Sequence, residues 1–144
     1  MVTAKNVAEY FLKLSNPEYG DYMSNLRLQK LVYYAQGFHL ATYDMPLFCE
    51  PIVAWNYGPV VENLYHEYKK YRSGVIPPPS DPDFGMFSKG QIDLMNEVSL
   101  VYGQFSALKL MELTHQEPPW KSTNRGEEIP HDIMRRYFKT RLRK

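Results

Sequence analysis

Glu62 and His66, four residues apart in a segment with helical spacing, form the best-placed pair for a metal ion in this chain. A single pair leaves a zinc site short of ligands, and His39, His115 and His131 show no ligand spacing to one another. No metal or other cofactor is expected. Cys49 is alone, which excludes an intrachain disulfide and any multi-cysteine zinc site; as a lone thiol it is expected to be a small buried hydrophobe. Catalytic constellations are equally scarce. The chain lacks a Gly-x-Ser-x-Gly elbow, a phosphate-cradling glycine loop and a His-Glu-x-x-His helix. His39 lies among apolar residues and reads as a core histidine. His115, just before Glu117-Pro118-Pro119-Trp120, is placed to hydrogen-bond across that turn; an enzyme would have to use it with a nearby carboxylate.

Tyrosine supplies 12 of the 21 aromatic residues. Such rings are apolar on the face and polar at the tip, which suits contact surfaces: they add area, lose few rotatable bonds and still reach a hydrogen-bond partner. Tyr33, Tyr34, Tyr57, Tyr65, Tyr68 and Tyr71 gather around two neighbouring helical patterns, where not all can face one core. Of these, Tyr33, Tyr34, Tyr65, Tyr68 and Tyr71 are the candidate partner-binding residues. The competing expectation is a large-ring core with its hydroxyls at the rim.

Net charge hides an asymmetry. The whole chain is +1, but its last ten residues carry Arg135, Arg136, Lys139, Arg141, Arg143 and Lys144 with no acid, a charge of +6 that leaves −5 for the rest. An acidic body argues against a general nucleic-acid binder. The tail still leaves open a regulator that touches phosphates through Arg135, Arg136, Arg141, Arg143 and Lys144, and its plainer expectation is a solvated helix end. At 44 % hydrophobic and 23 % charged the composition is that of a globular protein. No stretch approaches the roughly 20 apolar residues that span a membrane, and no export signal opens the chain, so a cytoplasmic protein without membrane contact is expected.

The elements that must hold these residues follow from periodicity and punctuation. Thr3 is placed to cap a first helix through Val7, Ala8, Phe11, Leu12 and Leu14, which Ser15-Asn16-Pro17 stops. Ser24 caps the longest pattern, with Leu28, Leu31, Val32, Ala35 and His39 on one stripe and Gln29, Lys30 and Gln36 off it. Residues 52–55, β-branched and aromatic, predict one short strand. Gly58-Pro59 then reads as the turn into a third helix, Pro59 preset for its first turn, with Val61, Leu64, Tyr65 and Tyr68 on its apolar face. Residues 76–82, four of them proline, must be an extended connector. Ser88 with Gln91 fits a capping box for a fourth helix, Ser106 caps a fifth, and a last one is predicted from Pro130 through Met134, Tyr137 and Phe138. Neither half beside the connector is large enough to be secure alone. The expectation is one mainly α domain over residues 1–144, of about six helices with one short β segment.

The ordered blocks Leu28-Gln29-Lys30-Leu31-x-Tyr33-Tyr34-Ala35-Gln36-Gly37, Ala54-Trp55-x-Tyr57-Gly58-Pro59-Val60-Val61 and Leu113-Thr114-His115-x-x-x-Pro119-Trp120 resemble the Panacea antitoxin domain, the SocA-like or phage-associated family. The resemblance runs over residues 3–138, leaving a basic tail at 139–144. Phe38, where the family commonly has tryptophan, and Tyr43-Asp44-Met45, in place of a glycine-containing turn, are mild departures. The family implies an antitoxin that binds a cognate toxin protein encoded beside it, in one branch as an adaptor to a Clp-type protease, and not a catalyst. Gln29, Lys30, Trp55, Tyr57, Gly58, Pro59, His115 and Trp120 are the motif residues. Read structurally, Tyr57-Gly58-Pro59 is a strand-to-helix turn and Trp120 a core plug.

Overall fold

The computed structural model describes residues 1–142; Arg143 and Lys144 lie outside them. It is mainly helical. Helix α1 (Ala4–Leu14) starts at Thr3, whose side chain accepts from the Asn6 amide while the Asn6 side chain answers the Thr3 amide. Ser24 caps α2 (Asn25–Tyr43), Ser88 with Gln91 closes the capping box of α4 (Lys89–Tyr102), and Ser106 caps α5 (Ala107–His115). Helix α3 is short (Glu62–Tyr68), α6 is a single turn (Pro118–Lys121) where the sequence predicts only a turn, and α7 (His131–Lys139) begins after Pro130.

Helix α2 is the axis of the molecule. Helices α7 and α4 pack most extensively on it, with α1, α5 and α3 filling in around them. The α7 contact depends on Gly37, where a Cβ would collide with the ring of Phe138. A mid-helix glycine costs up to about 1 kcal/mol against alanine, and burial of Phe138 at this crossing offsets it. Residues on both sides of the proline-rich connector share one apolar core, from Phe11 and Leu28 to Met95, Leu110 and Phe138. Ile76 anchors the connector, buried and donating its amide to the Met23 carbonyl at 2.8 Å.

Three expectations are corrected here. The single strand is a two-stranded antiparallel hairpin, β1 (Val53–Trp55) with β2 (Gly58–Val60), in the register Val53↔Val60, Ala54↔Pro59, Trp55↔Gly58. Pro59 therefore sits in a strand, and α3 begins only at Glu62. The reason is local. Gly58 adopts φ +106°, which turns the chain back on β1 rather than into a helix. Strand β2 packs on α2. Residues 126–129 run along the other edge of β1, where the Ala54 amide donates to the Glu127 carbonyl, and the Gly126 and Ile129 amides donate to the carbonyls of Ala54 and Ile52.

The second correction concerns the circumference of α2. Gln29, Lys30 and Gln36, which lie off its apolar stripe, are nonetheless among its most buried residues. Each meets backbone of a segment that wraps the helix. The Gln36 carboxamide accepts from the Leu47 amide at 2.7 Å and donates to the Phe48 carbonyl at 2.7 Å; Gln29 accepts from the Val61 amide at 2.9 Å. Irregular chain buried against a helix has amides and carbonyls that cost free energy unpaired, and these side chains stand in for the absent strand partner. Cys49, expected inside, is exposed.

Candidate functional site

The tyrosines divide between core and surface, in keeping with a set that cannot all face one core. Tyr33, Tyr34 and Tyr68 are buried, Tyr65 and Tyr71 are partly exposed, and Tyr57 is 62 % exposed. Tyr33 and Tyr34 point inward because α2 has no free side. Their hydroxyls donate to the two carboxylate oxygens of Glu117, at 2.9 Å and 2.7 Å. Tyr34 also stacks on Tyr102 with ring centroids 3.9 Å apart. Glu117 is the residue immediately before the four-residue α6, and its side chain makes no cap bond there, leaving the carboxylate to the tyrosines. Burial pushes its pKa up to about 7; the tyrosine hydroxyls and the positive charge of Arg141 pull the other way and lose. The same burial and the neighbouring carboxylate hold the Tyr33 and Tyr34 hydroxyls far above their ordinary range, as proton donors. This is an internal network with both carboxylate oxygens satisfied. Sequence reasoning missed Glu117, because nothing local marks the carboxylate that a Tyr-Tyr pair 83 and 84 residues away will reach.

Lys30 is the second buried charge. Its Nζ donates to the Pro59 carbonyl at 3.3 Å, and its stem lies against Gly58. Burial lowers its pKa to about 7. The family block on α2 thus holds the hairpin from below, through Gln29 at Val61 and Lys30 at Pro59.

The hairpin tip is held from the side by the third block. His115 Nε2 lies 2.9 Å from the Asn56 carbonyl, which can only accept, so Nε2 carries the proton. Trp120 donates its indole N–H to the Trp55 carbonyl at 2.7 Å and stacks on His115 with centroids 4.1 Å apart. Arg125 sits 3.5 Å from the Trp120 ring centroid and donates to its carbonyl. Trp120 is therefore a partly buried clamp rather than a core plug, and sequence reasoning missed Arg125. What this scaffold presents outward is aromatic. Tyr57 stands at the tip, and Trp55 meets Tyr65 of α3 edge-on at 4.9 Å while donating to Glu62.

The remaining candidates fall elsewhere. Glu62 is engaged with Trp55, and among the described residues no group of three or more His, Cys, Asp or Glu is arranged to hold a metal ion. His39 meets the Met45 carbonyl through Nδ1 and Gln91 through Nε2, and burial lowers its pKa. In the tail, Arg135 and Arg136 both pair with Asp132, and Lys139 pairs with Asp44 at the end of α2. Cations partnered by acids from beyond the tail fit a solvated helix end. Among the described residues no helix is long and apolar enough to cross a membrane.

An α2 hub whose polar residues staple a hairpin, clamped by a His-Trp pair, is what the three sequence blocks build. Residues 28–121 match the family described as antitoxin SocA-like, Panacea domain, and the chain belongs to that family. It is 30 % identical over 116 residues to antitoxin SocA of Caulobacter vibrioides (strain NA1000 / CB15N), an alignment covering 68 % of this chain and 58 % of that protein. The chain thus spans somewhat more than half the length of this curated relative. No solved structure matches it.

Proposed function

We propose that this protein is an antitoxin that neutralises a cognate toxin by direct binding, without catalysis, and that the hairpin face is its contact surface. The observation that carries this is the aromatic group formed by exposed Tyr57 with half-buried Trp55 and Tyr65, on a tip whose backbone is held by His115, Trp120 and Lys30. Rigid aromatic residues beside an arginine, here Arg125, have the composition of an interface hot spot and need little ordering on binding. Family membership and the relative's designation as an antitoxin support the same reading. Tyr71, partly exposed at the far end of α3, belongs to the margin of this face.

The test is co-expression with the product of the neighbouring reading frame. Growth should be restored and the two proteins should co-purify, through an interface of about 1,600 Å² in total. Tyr57→Ala and Tyr65→Ala should include at least one variant that weakens binding by about 2 kcal/mol or more with an unchanged melting temperature. Tyr33→Phe and Tyr34→Phe should instead lower stability and leave affinity alone. Neutralisation that survives both surface changes would move the interface elsewhere, and a neighbour that is neither toxic nor bound would end the antitoxin reading. The half-life of the bound toxin separates occlusion from delivery to a Clp-type protease.

A further inference from the structure

Beside the hairpin face, across Tyr65, lies a cleft lined by Asn25, Tyr65, His66, Lys69, Lys70 and Arg72. Three cations within four residues sit here in a body whose charge, apart from the basic tail, is −5. None of the three has an acidic partner within ion-pair distance among the described residues. The nearest acids in sequence are occupied, Glu67 by Lys5 and Glu62 by the Trp55 indole. The floor is fixed, since Asn25 donates to the Tyr65 carbonyl and accepts from Gln29.

Lysines near a helix C-terminus are ordinarily explained by the helix dipole, and Lys69 caps α3 in that way. The dipole does not explain Arg72. Its backbone lies at φ +54°, ψ −126°, a conformation that favours glycine, while Gly74 stands two residues away. A strained backbone that carries a cation into a cleft is better explained by something the cation holds.

We propose that this cleft binds a short Asp/Glu-rich segment of a protein partner, whose carboxylates are taken by Lys69, Lys70 and Arg72. A nucleic acid fits less well, because its phosphates would extend past three cations onto an acidic body. Continuity through Tyr65 with the hairpin face lets one protein partner engage both. That continuity rests on the antitoxin reading, whereas the preference of the cleft for carboxylates does not.

The experiment titrates the ¹⁵N-labelled full chain with a capped Glu-rich peptide containing one phenylalanine, with a thymidine oligonucleotide of equal charge and with inorganic phosphate. Amide shifts from the peptide should cluster at residues 65–72 and at the Asn25 side chain. The triple variant K69E/K70E/R72E should weaken the peptide about tenfold, while K13E/K109E/K121E, an equal charge change elsewhere, should leave binding within about twofold. R72G is the sharper variant, expected to weaken the peptide while holding or raising the melting temperature, because glycine relaxes the backbone. Shifts that fall elsewhere, equal losses in both charge variants, or tighter binding of the oligonucleotide or phosphate at the cleft would overturn the proposal. With the neighbouring gene product in place of the peptide, K69E/K70E/R72E should slow association and flatten its salt dependence. Loss of that arm alone counts against the antitoxin reading, and loss of the peptide arm alone against the cleft.

Discussion

Glu117 and Lys30 are ionisable groups whose ionised forms the fold disfavours, and their effects on stability run in opposite directions with pH. The folded pKa of Glu117, about 7, lies above its ordinary value of 4.5. The native state therefore holds a proton that the unfolded chain has released, and the stability this group contributes is full below pH 4.5 and lost as pH rises to about 7. Glu117→Gln, which keeps an acceptor for one tyrosine, should flatten the decline of melting temperature across that interval; an unchanged slope would show that the carboxylate is not the titrating group. Lys30 is the reverse case. Its pKa falls from 10.5 to about 7, so its cost is greatest below pH 7 and is relieved toward pH 10.5. Lys30→Met should raise stability by about 1 kcal/mol or more at pH 6, because an apolar side chain of similar length carries no desolvation penalty. The gain should shrink at pH 9, and a variant less stable than the parent at both values would mean that the bond to Pro59 outweighs the buried charge.

At the scale of elements, the hairpin is the part with the least freedom. Gly58 combines φ +106° with a site where a Cβ would lie 2.7 Å from Lys30 Cε and 2.8 Å from Thr114 Oγ1. Gly58→Ala is expected to cost about 2 to 4 kcal/mol in urea unfolding, the sum of a backbone and a packing penalty. Shortening Lys30 as well should recover part of that loss, since two residues in contact do not act additively. A cost below about 1 kcal/mol would mean that the hairpin re-forms around the methyl group.

For the molecule as a whole, α2 joins α1, α3, α4, α5, α7 and β2, so nothing else can come apart cooperatively without exposing it. Its amides should be the last to exchange with solvent, opening only with global unfolding, while residues 72–86 exchange first. Slow exchange centred on α4 or α7 instead would place the stable nucleus outside the hub. One core threaded by a single helix also explains why Tyr33 and Tyr34 cannot serve a partner directly: a helix covered on all sides has no face left to offer.

Four helix starts and the connector were legible in the sequence because they are local, whereas the start of α3 was not, since Gly58-Pro59 forms a strand that pairs back on β1. A cap acts across three residues, a helical stripe repeats every three or four, and proline acts on its own backbone, so Thr3, Ser24, Ser88, Ser106 and residues 76–82 were read correctly. The family blocks were legible too, as ordered identities. Their physical meaning was not, because burial is decided by what packs from far along the chain. Gln36 reaches a segment 11 residues on, Gln29 one 32 residues on and Tyr33 one 84 residues on. Polar residues on α2 look solvent-facing until the fold surrounds that helix with backbone in need of partners. By itself the sequence determined most of the helices and the kinship; the tertiary structure alone decided that Gln29, Lys30, Gln36, Tyr33 and Tyr34 build the interior while Tyr57 and part of Tyr65 stay at the surface, because burial depends on what packs from far along the chain.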